Sequence, residues 1–346
     1  MISGWRTGSS ASNSSARGAE RMRLRLAAVL FLTAACLGWV IHGIDVSAAE
    51  ASLGRFRWGM ILPIWSLYLL AHSLRAQRFR VLLPKPIDYG ASFSALTIGY
   101  LALHVIPFRL GELVRPYLVK ERRDVPFGDS LAVVVVERIL DVVMLLAMIL
   151  TTSWFVHLPT RVEVGGYDLL AVAQKGAGLL VLVCVIGVAV VLASGEPVLR
   201  HTDKLPLGGM FRQFRGALVA LAKRPAVTAQ AFALSVAIWV LTLVAVQVQL
   251  VAFGGVPAGP LDALTVWTAT LSGMTVLPTP GFFGGFEAAC TAALQLLGAT
   301  AADAGAFAIV LHLTQFVFTV VLGVIFLARE GLNLREVVEK SRATAG

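Results

Sequence analysis

VIPFRLGELVRP, residues 105–116, and VLPTPGFFGGFEAA, residues 276–289, are two hydrophobic segments that break midway. Each begins as an apolar run, meets proline and glycine, and then places a glutamate: Glu112 in the first, Glu287 in the second. Proline removes a backbone donor and glycine loosens a helix. Pro107 and Gly111 in one segment, and Pro278, Pro280, Gly281 and Gly284 in the other, therefore predict a stop, a turn and a restart. In hydrocarbon an unsatisfied backbone group costs several kcal/mol, so such breaks persist only where protein or a wet cavity surrounds them. Two interrupted segments at matching places in two halves point to a transporter's substrate site.

The rest of the chain supports a membrane setting. Of 346 residues 57% are hydrophobic and only 14% charged, against about 25% charged in a typical soluble domain. Mean hydropathy is +0.80. The net charge of +9 would suggest nucleic acid in a soluble protein, but the basic residues sit in short stretches between apolar runs, where topology accounts for them. No nucleic-acid partner is expected. Cys36, Cys184 and Cys290 fall in apolar segments and read as packing residues. The sequence has no HExxH, P-loop or Gly-x-Ser-x-Gly motif and no metal-ligand spacing, so neither cofactor nor metal is expected. The chemistry leans away from an enzyme.

Apolar length predicts full spans at about 24–44, 58–74, 127–150, 174–193, 228–252 and 305–328. Residues 1–23 read as a disordered basic tail. A signal peptide ending near Ser47, Ala48 and Ala49 competes with a retained first span, but its apolar run is long for one. Positive charge orients the rest. Arg75, Arg78, Arg80 and Lys85 follow the second span, and Arg115, Lys120, Arg122 and Arg123 follow the first broken segment. Both flanks of that segment, about 91–118, are then cytoplasmic, so it enters and leaves from the inside. No Lys or Arg occurs from Pro225 to Ala328, and Arg329, Arg335, Lys340 and Arg342 mark a cytoplasmic C-terminus. The second broken segment, about 262–298, then enters and leaves from the outside. The expectation is an all-α polytopic membrane protein of the cytoplasmic membrane with both termini cytoplasmic. It has about six full spans plus two re-entrant segments, in an inverted repeat of units about 58–150 and 228–328. One transmembrane domain covers 24–330, and 331–346 forms a tail. Residues 208–224 read as an amphipathic surface helix.

Three groups carry the candidate chemistry. Arg109, Glu112 and Arg115 are three apart and form one helical stripe. Paired guanidiniums suit a phosphate, with Glu112 orienting one of them or answering a cationic head group; a salt-bridge stripe that pins the break is the competing account. Glu137, Arg138 and Asp141 lie inside a span, where charged residues line a pathway or lock helix to helix. Arg138 and Asp141 at i, i+3 neutralise each other, leaving Glu137 on another side. Glu287 begins the second half-helix, where the dipole favours a carboxylate. His312 and Gln315 share one face of the last span, and His104 approaches the first break. Each histidine reads as a proton carrier or as a hydrogen-bonded packing residue.

The segments IPFRLGELVRPYLVKE, VVVVERILDVVMLL and LPTPGFFGGFEAA together resemble the lysylphosphatidylglycerol synthase transmembrane family, also called flippase-like. The family pattern falls on Pro107, Gly111, Glu112 and Arg115, then Glu137, Arg138 and Asp141, then Pro280, Gly281, Gly284 and Glu287. Where the family often has an arginine in its last span, this chain has His312. Bifunctional members carry a soluble aminoacyl-transfer domain after the membrane part; this chain ends about 18 residues past its last span, so that chemistry is not expected here. The resemblance implies a lipid substrate with a phosphate-containing head group, a phospholipid or a polyprenyl-phosphate-linked one. It leaves open a head-group transferase and an accessory subunit of an envelope-lipid synthesis complex. A homo-oligomer or an envelope-synthesis partner also stays open.

Overall fold

The computed structural model describes residues 46–105, 111–155, 163–164, 167–168, 223–276 and 280–334, with scattered positions from 182 to 220 and from 336 to 340. The expected first span, most of the span at 174–193 and most of the surface helix at 208–224 lie outside these residues.

Nine helices can be named among the described residues. They are α1 (Val46–Arg55), α2 (Ile61–Leu82), α3 (Tyr89–Val105), α4 (Val114–Arg123), α5 (Phe127–Phe155), α6 (Pro225–Phe253), α7 (Pro260–Val276), α8 (Gly285–Leu296) and α9 (Ala301–Arg329). A short antiparallel ladder pairs Glu163–Val164 with Tyr167–Asp168. Ser47, Ala48 and Ala49 lie within α1 rather than in an extended cleavage site. Two helices run past the expected spans. The helix over the expected span at 58–74 reaches Leu82, so Arg75, Arg78 and Arg80 belong to it. The helix over 127–150 reaches Phe155.

Local chemistry sets the ends. Leu83 is extended before Pro84, whose ring disfavours helix at the preceding residue. Asp88 accepts from the Ala91 amide (2.8 Å) and starts α3. Pro225 occupies the first turn of α6, where its missing N–H costs nothing. Thr300 accepts from the Asp303 amide (3.1 Å) at the start of α9.

Each half repeats one order: a long helix, a 17-residue helix, a break, a short helix and a 29-residue helix. The packing repeats as well. The two leading helices, α2 and α6, pack on each other. α3 packs on α9 while α7 packs on α5, so each half's broken segment lies against the other half's last helix. Within each half the arms of the broken segment touch, α3 with α4 and α7 with α8.

The first segment is a tight helical hairpin. A Cβ on Gly99 would lie 3.4 Å from the Arg115 Cβ, and one on Gly111 would lie 2.3 Å from the Leu103 amide nitrogen. As one position rises along α3 its partner falls, so the chain reverses and returns along its own first arm. The tips of the two hairpins meet, since Gly281 approaches the His104 carbonyl and the Phe282 ring lies 5.8 Å from that of His104.

Two large apolar cores result among the described residues. One joins α2 and α6–α9 around Phe253, Phe286 and Phe307; the other joins α2–α5 around Phe79, Leu118 and Val133. The outer faces are apolar too. Phe232, Val236, Val240 and Val244 on α6, and Leu313, Val317, Val321 and Ile325 on α9, are exposed at four-residue spacing. A helix apolar on both its packed and its exposed faces suits lipid, not water. Both helices are long and apolar enough to cross a membrane, with mean hydropathy 2.3.

Candidate functional site

The first half gathers its charges around Glu137 on α5, which is 1% exposed. Arg115 of α4 donates to Glu137 Oε2 at 2.6 Å, and Arg78 Nε of α2 to Oε1 at 3.4 Å. Arg78 Nη1 also donates to Asp141 Oδ1 and to Ser235 Oγ of α6, each at 2.9 Å. Asp141 in turn holds Arg138 (3.1 Å). The Arg115 guanidinium lies 4.7 Å from the centre of the Phe79 ring. Buried charges persist only when paired and hydrogen-bonded, and here one network ties α2, α4, α5 and α6 together. Arg138 differs from the others: its side chain is 37% exposed and its Nε has no partner among the described residues.

The second half builds around Glu287, the third residue of α8. Its Oε2 accepts from the Gly284 amide (2.7 Å) and so caps the helix. Its Oε1 lies 2.6 Å from His312 Nδ1, and His312 Nε2 lies 3.0 Å from the Gly281 carbonyl. Gly281 has φ 60, and Phe282 after it has φ 65, a strained value for a side-chain-bearing residue. His312 is 3% exposed and stacks on Phe286 (centroids 4.4 Å, interplanar 13°).

Between the halves lies a cavity of about 230 Å³. Its polar lining includes Arg75, Arg138, Glu112, His72, His104 and His312, with Tyr100 and Gln315; Trp267, Phe282 and Phe286 provide aromatic walls. His72 and His104 each place Nδ1 on a carbonyl one turn back, at 2.9 and 2.8 Å. Among the described residues, Gln315 Nε2 and Trp267 Nε1, like Arg138 Nε, are buried donors with no partner. Counting the network and the lining together, four arginines (75, 78, 115 and 138) face three carboxylates (Glu112, Glu137 and Asp141). Excess positive charge and unpaired donors suit an anionic, acceptor-rich ligand.

The sequence-predicted residues therefore divide. Glu112, Arg138 and His312 line the cavity. Glu287 contacts it through His312, and Glu137 and Asp141 sit in the buried network. Arg115 pairs with Glu137 in that network and also lines, with Glu112 and Arg138, a smaller pocket beside the cavity. Glu137 is not left alone on its side of α5, as it takes two arginines. Arg109, Pro107 and Pro278 lie outside the described residues, while Gly111, Pro280, Gly281 and Gly284 lie at the breaks. Sequence reasoning missed Arg75 and Arg78 as site residues, along with Ser235 and Trp267. Continuing the helical period of α2 past residue 74 would have placed both arginines on it.

The family described as the lysylphosphatidylglycerol synthase TM region matches residues 25–323. Among curated proteins, a protein named glycosyltransferase AglD from Haloferax volcanii is 28% identical, over 92% of this chain and 56% of its own length. The chain thus spans little more than half of that relative. No solved structure matches.

Proposed function

Because this chain belongs to the lysylphosphatidylglycerol synthase transmembrane family, a family of membrane proteins, we propose that it binds a lipid with a phosphate-containing head group in the central cavity and moves it across the membrane. The observation that carries this reading is the excess of arginine over carboxylate around a cavity at the tips of two broken hairpins. In this reading the hairpins are re-entrant from opposite sides of the cytoplasmic membrane, the two halves form an inverted repeat, and the termini are cytoplasmic. The repeated order and reciprocal packing of the helices support it. The phosphate meets Arg138, whose guanidinium is partly unspent, with Arg75 beside it. Arg115 holds Glu137 in place instead. Glu112 faces a donor on the head group, an ammonium or a hydroxyl.

Purified protein in proteoliposomes, given fluorescent anionic and aminoacylated lipids and polyprenyl-phosphate lipids, tests this. Charge-assisted bonds contribute about 1.5–3 kcal/mol each, so Arg138→Gln should weaken head-group binding roughly 10- to 150-fold and slow movement accordingly. Undiminished movement in an Arg75→Gln, Arg138→Gln double variant would remove the phosphate-holding role. The name of the relative favours a second reading, in which the chain is the lipid-handling part of a head-group transferase and Glu112 acts as the base. Chemical turnover of labelled lipid, in place of movement, would select it.

A further inference from the structure

His312 faces acceptors on both sides. The Gly281 carbonyl at 3.0 Å can only accept, so Nε2 carries a hydrogen. Nδ1 lies 2.6 Å from Glu287 Oε1, a distance that needs a second hydrogen between them. The other carboxylate oxygen is already taken by the Gly284 amide. The Glu287–His312 pair therefore holds one proton more than a carboxylate beside a neutral imidazole. It is either imidazolium with carboxylate or imidazole with carboxylic acid, and both are neutral overall.

We infer that the Glu287–His312 pair is a proton-binding site whose occupancy is coupled to the lipid site, making the protein a proton-coupled lipid carrier. This rests on the lipid reading above for its second half only. Loss of the proton would set two lone pairs against each other at 2.6 Å and leave a net negative charge in a site that is 3% exposed at each residue. The pair must then separate. Separation frees the His312 ring, which holds the Gly281 carbonyl, and so loosens a restraint on the strained Phe282. Phe282 is the side chain that touches His104 at the tip of the other hairpin. One proton thus reaches the contact between the two tips.

The neighbours of the pair set the sign of the coupling. On α8 the other titratable group is the buried Cys290 thiol. α3 presents His104, whose Nδ1 is already committed to Tyr100, and Tyr100 itself. α2 contributes Tyr68, His72 and Arg75 to the shared cavity, while Arg138 of α5 and Glu112 complete its charges. α6 carries no titratable residue, α7 only Asp262 in its first turn, and Arg55 of α1 is held on Asp303 at the start of α9. A phosphate at Arg75 and Arg138 brings negative charge into the cavity that His312 lines, so the bound proton and the bound phosphate attract each other. By reciprocity the bound proton raises the affinity for the phosphate. Head group and proton are taken up together.

The test has two separable arms. Protein labelled with nitrogen-15 histidine, in nanodiscs, is titrated and His312 is assigned by its loss in His312→Gln. Infrared difference spectra follow the Glu287 carboxyl, assigned with Glu287→Gln. The expected result is one proton released from the pair as a unit, with both signals moving at the same pH. Independent titration of the two groups, or no titration from pH 4 to 10, would overturn the proton site. In proteoliposomes a one-unit pH gradient should bias the steady-state lipid distribution up to tenfold for one proton per lipid. His312→Gln, which cannot titrate, should abolish that bias. Wild-type movement indifferent to the gradient overturns the coupling and leaves the lipid reading intact. A titrating pair with no lipid movement does the reverse.

Discussion

At the scale of the residue, the determining fact is that the arginines near the cavity do two jobs. Arg78 and Arg115 are spent on Glu137, whereas Arg138 keeps part of its guanidinium free. Removing one partner of a buried pair costs about 3–5 kcal/mol, because the remaining charge is left uncompensated. Glu137→Gln should therefore unfold the detergent-solubilised protein at a much lower temperature. Arg138→Gln, on a side chain that is 37% exposed, should shift the midpoint far less while weakening lipid binding. Combining Glu137→Gln with Arg115→Met should recover part of the lost stability, since it removes one of the stranded charges. A thermal-shift series on the four proteins decides it, and equal shifts for Glu137→Gln and Arg138→Gln would contradict the division. None of the pairing of Arg78 was legible in the sequence. A basic residue a few positions past a 17-residue apolar run has the same hydropathy whether it anchors in water or is buried at a carboxylate. Only the continued helical period, with Arg75 and Arg78 three apart, carried that information.

At the scale of the element, the breaks were legible and their folded shape was not. Proline and glycine told where α3 and α7 had to stop, because backbone donors and torsions are local properties. That the first segment folds back on itself depends on Gly111 lying against the backbone of α3, a tertiary contact that no period in the sequence encodes. Gly111→Ala would place a methyl 2.3 Å from the Leu103 amide nitrogen and 2.5 Å from the Ala102 carbonyl carbon. Rigid backbone must shift to admit it, so a loss of about 1–3 kcal/mol is expected. Gly54→Ala in α1, where a Cβ meets nothing, should stabilise by about 0.5–1 kcal/mol through backbone entropy. The open end of the same hairpin is tied by Asp88, which caps α3 and receives Arg123 of α4 at 3.1 Å. The Ala91 amide first, and Arg123 after it, hold the Asp88 carboxyl below its usual range. A carboxyl with a lowered folded value stabilises above its unfolded pKa, about 3.9, and loses that contribution as pH falls through the lower folded value. The stability gap between wild type and Asp88→Asn should be full at neutral pH and close below about pH 4. An unchanged gap at pH 3 would show that Asp88 acts without its charge.

At the scale of the whole molecule, the two halves share a plan but solve their buried carboxylates differently. The interval from Glu287 to His312 is 25 residues, and Glu112 to Glu137 is the same distance along the chain. In the second half the two residues bond directly, through a proton. In the first, Glu137 takes arginines from α2 and α4, and Glu112 is left at the cavity. The matched interval was visible in the sequence, but the different chemistry at its ends was not, because it depends on which side chains of neighbouring helices pack beside each carboxylate. If the halves are inverted, the open ends of the two hairpins face opposite sides of the membrane. Arg123, at the end of the first hairpin, and Gly298, just past the second, then report opposite surfaces. With Cys36, Cys184 and Cys290 replaced by alanine, Arg123→Cys in intact cells should resist a membrane-impermeant maleimide until the cells are opened. Gly298→Cys should react from outside at once. The charge pattern makes the same demand, since Lys120, Arg122 and Arg123 cluster at the first hairpin and no Lys or Arg lies between Pro225 and Ala328. Labelling of both positions from one side would mean two hairpins entering from the same face. The tips could then not divide a pathway into inner and outer halves, and the alternation of access between them would lose its geometric basis.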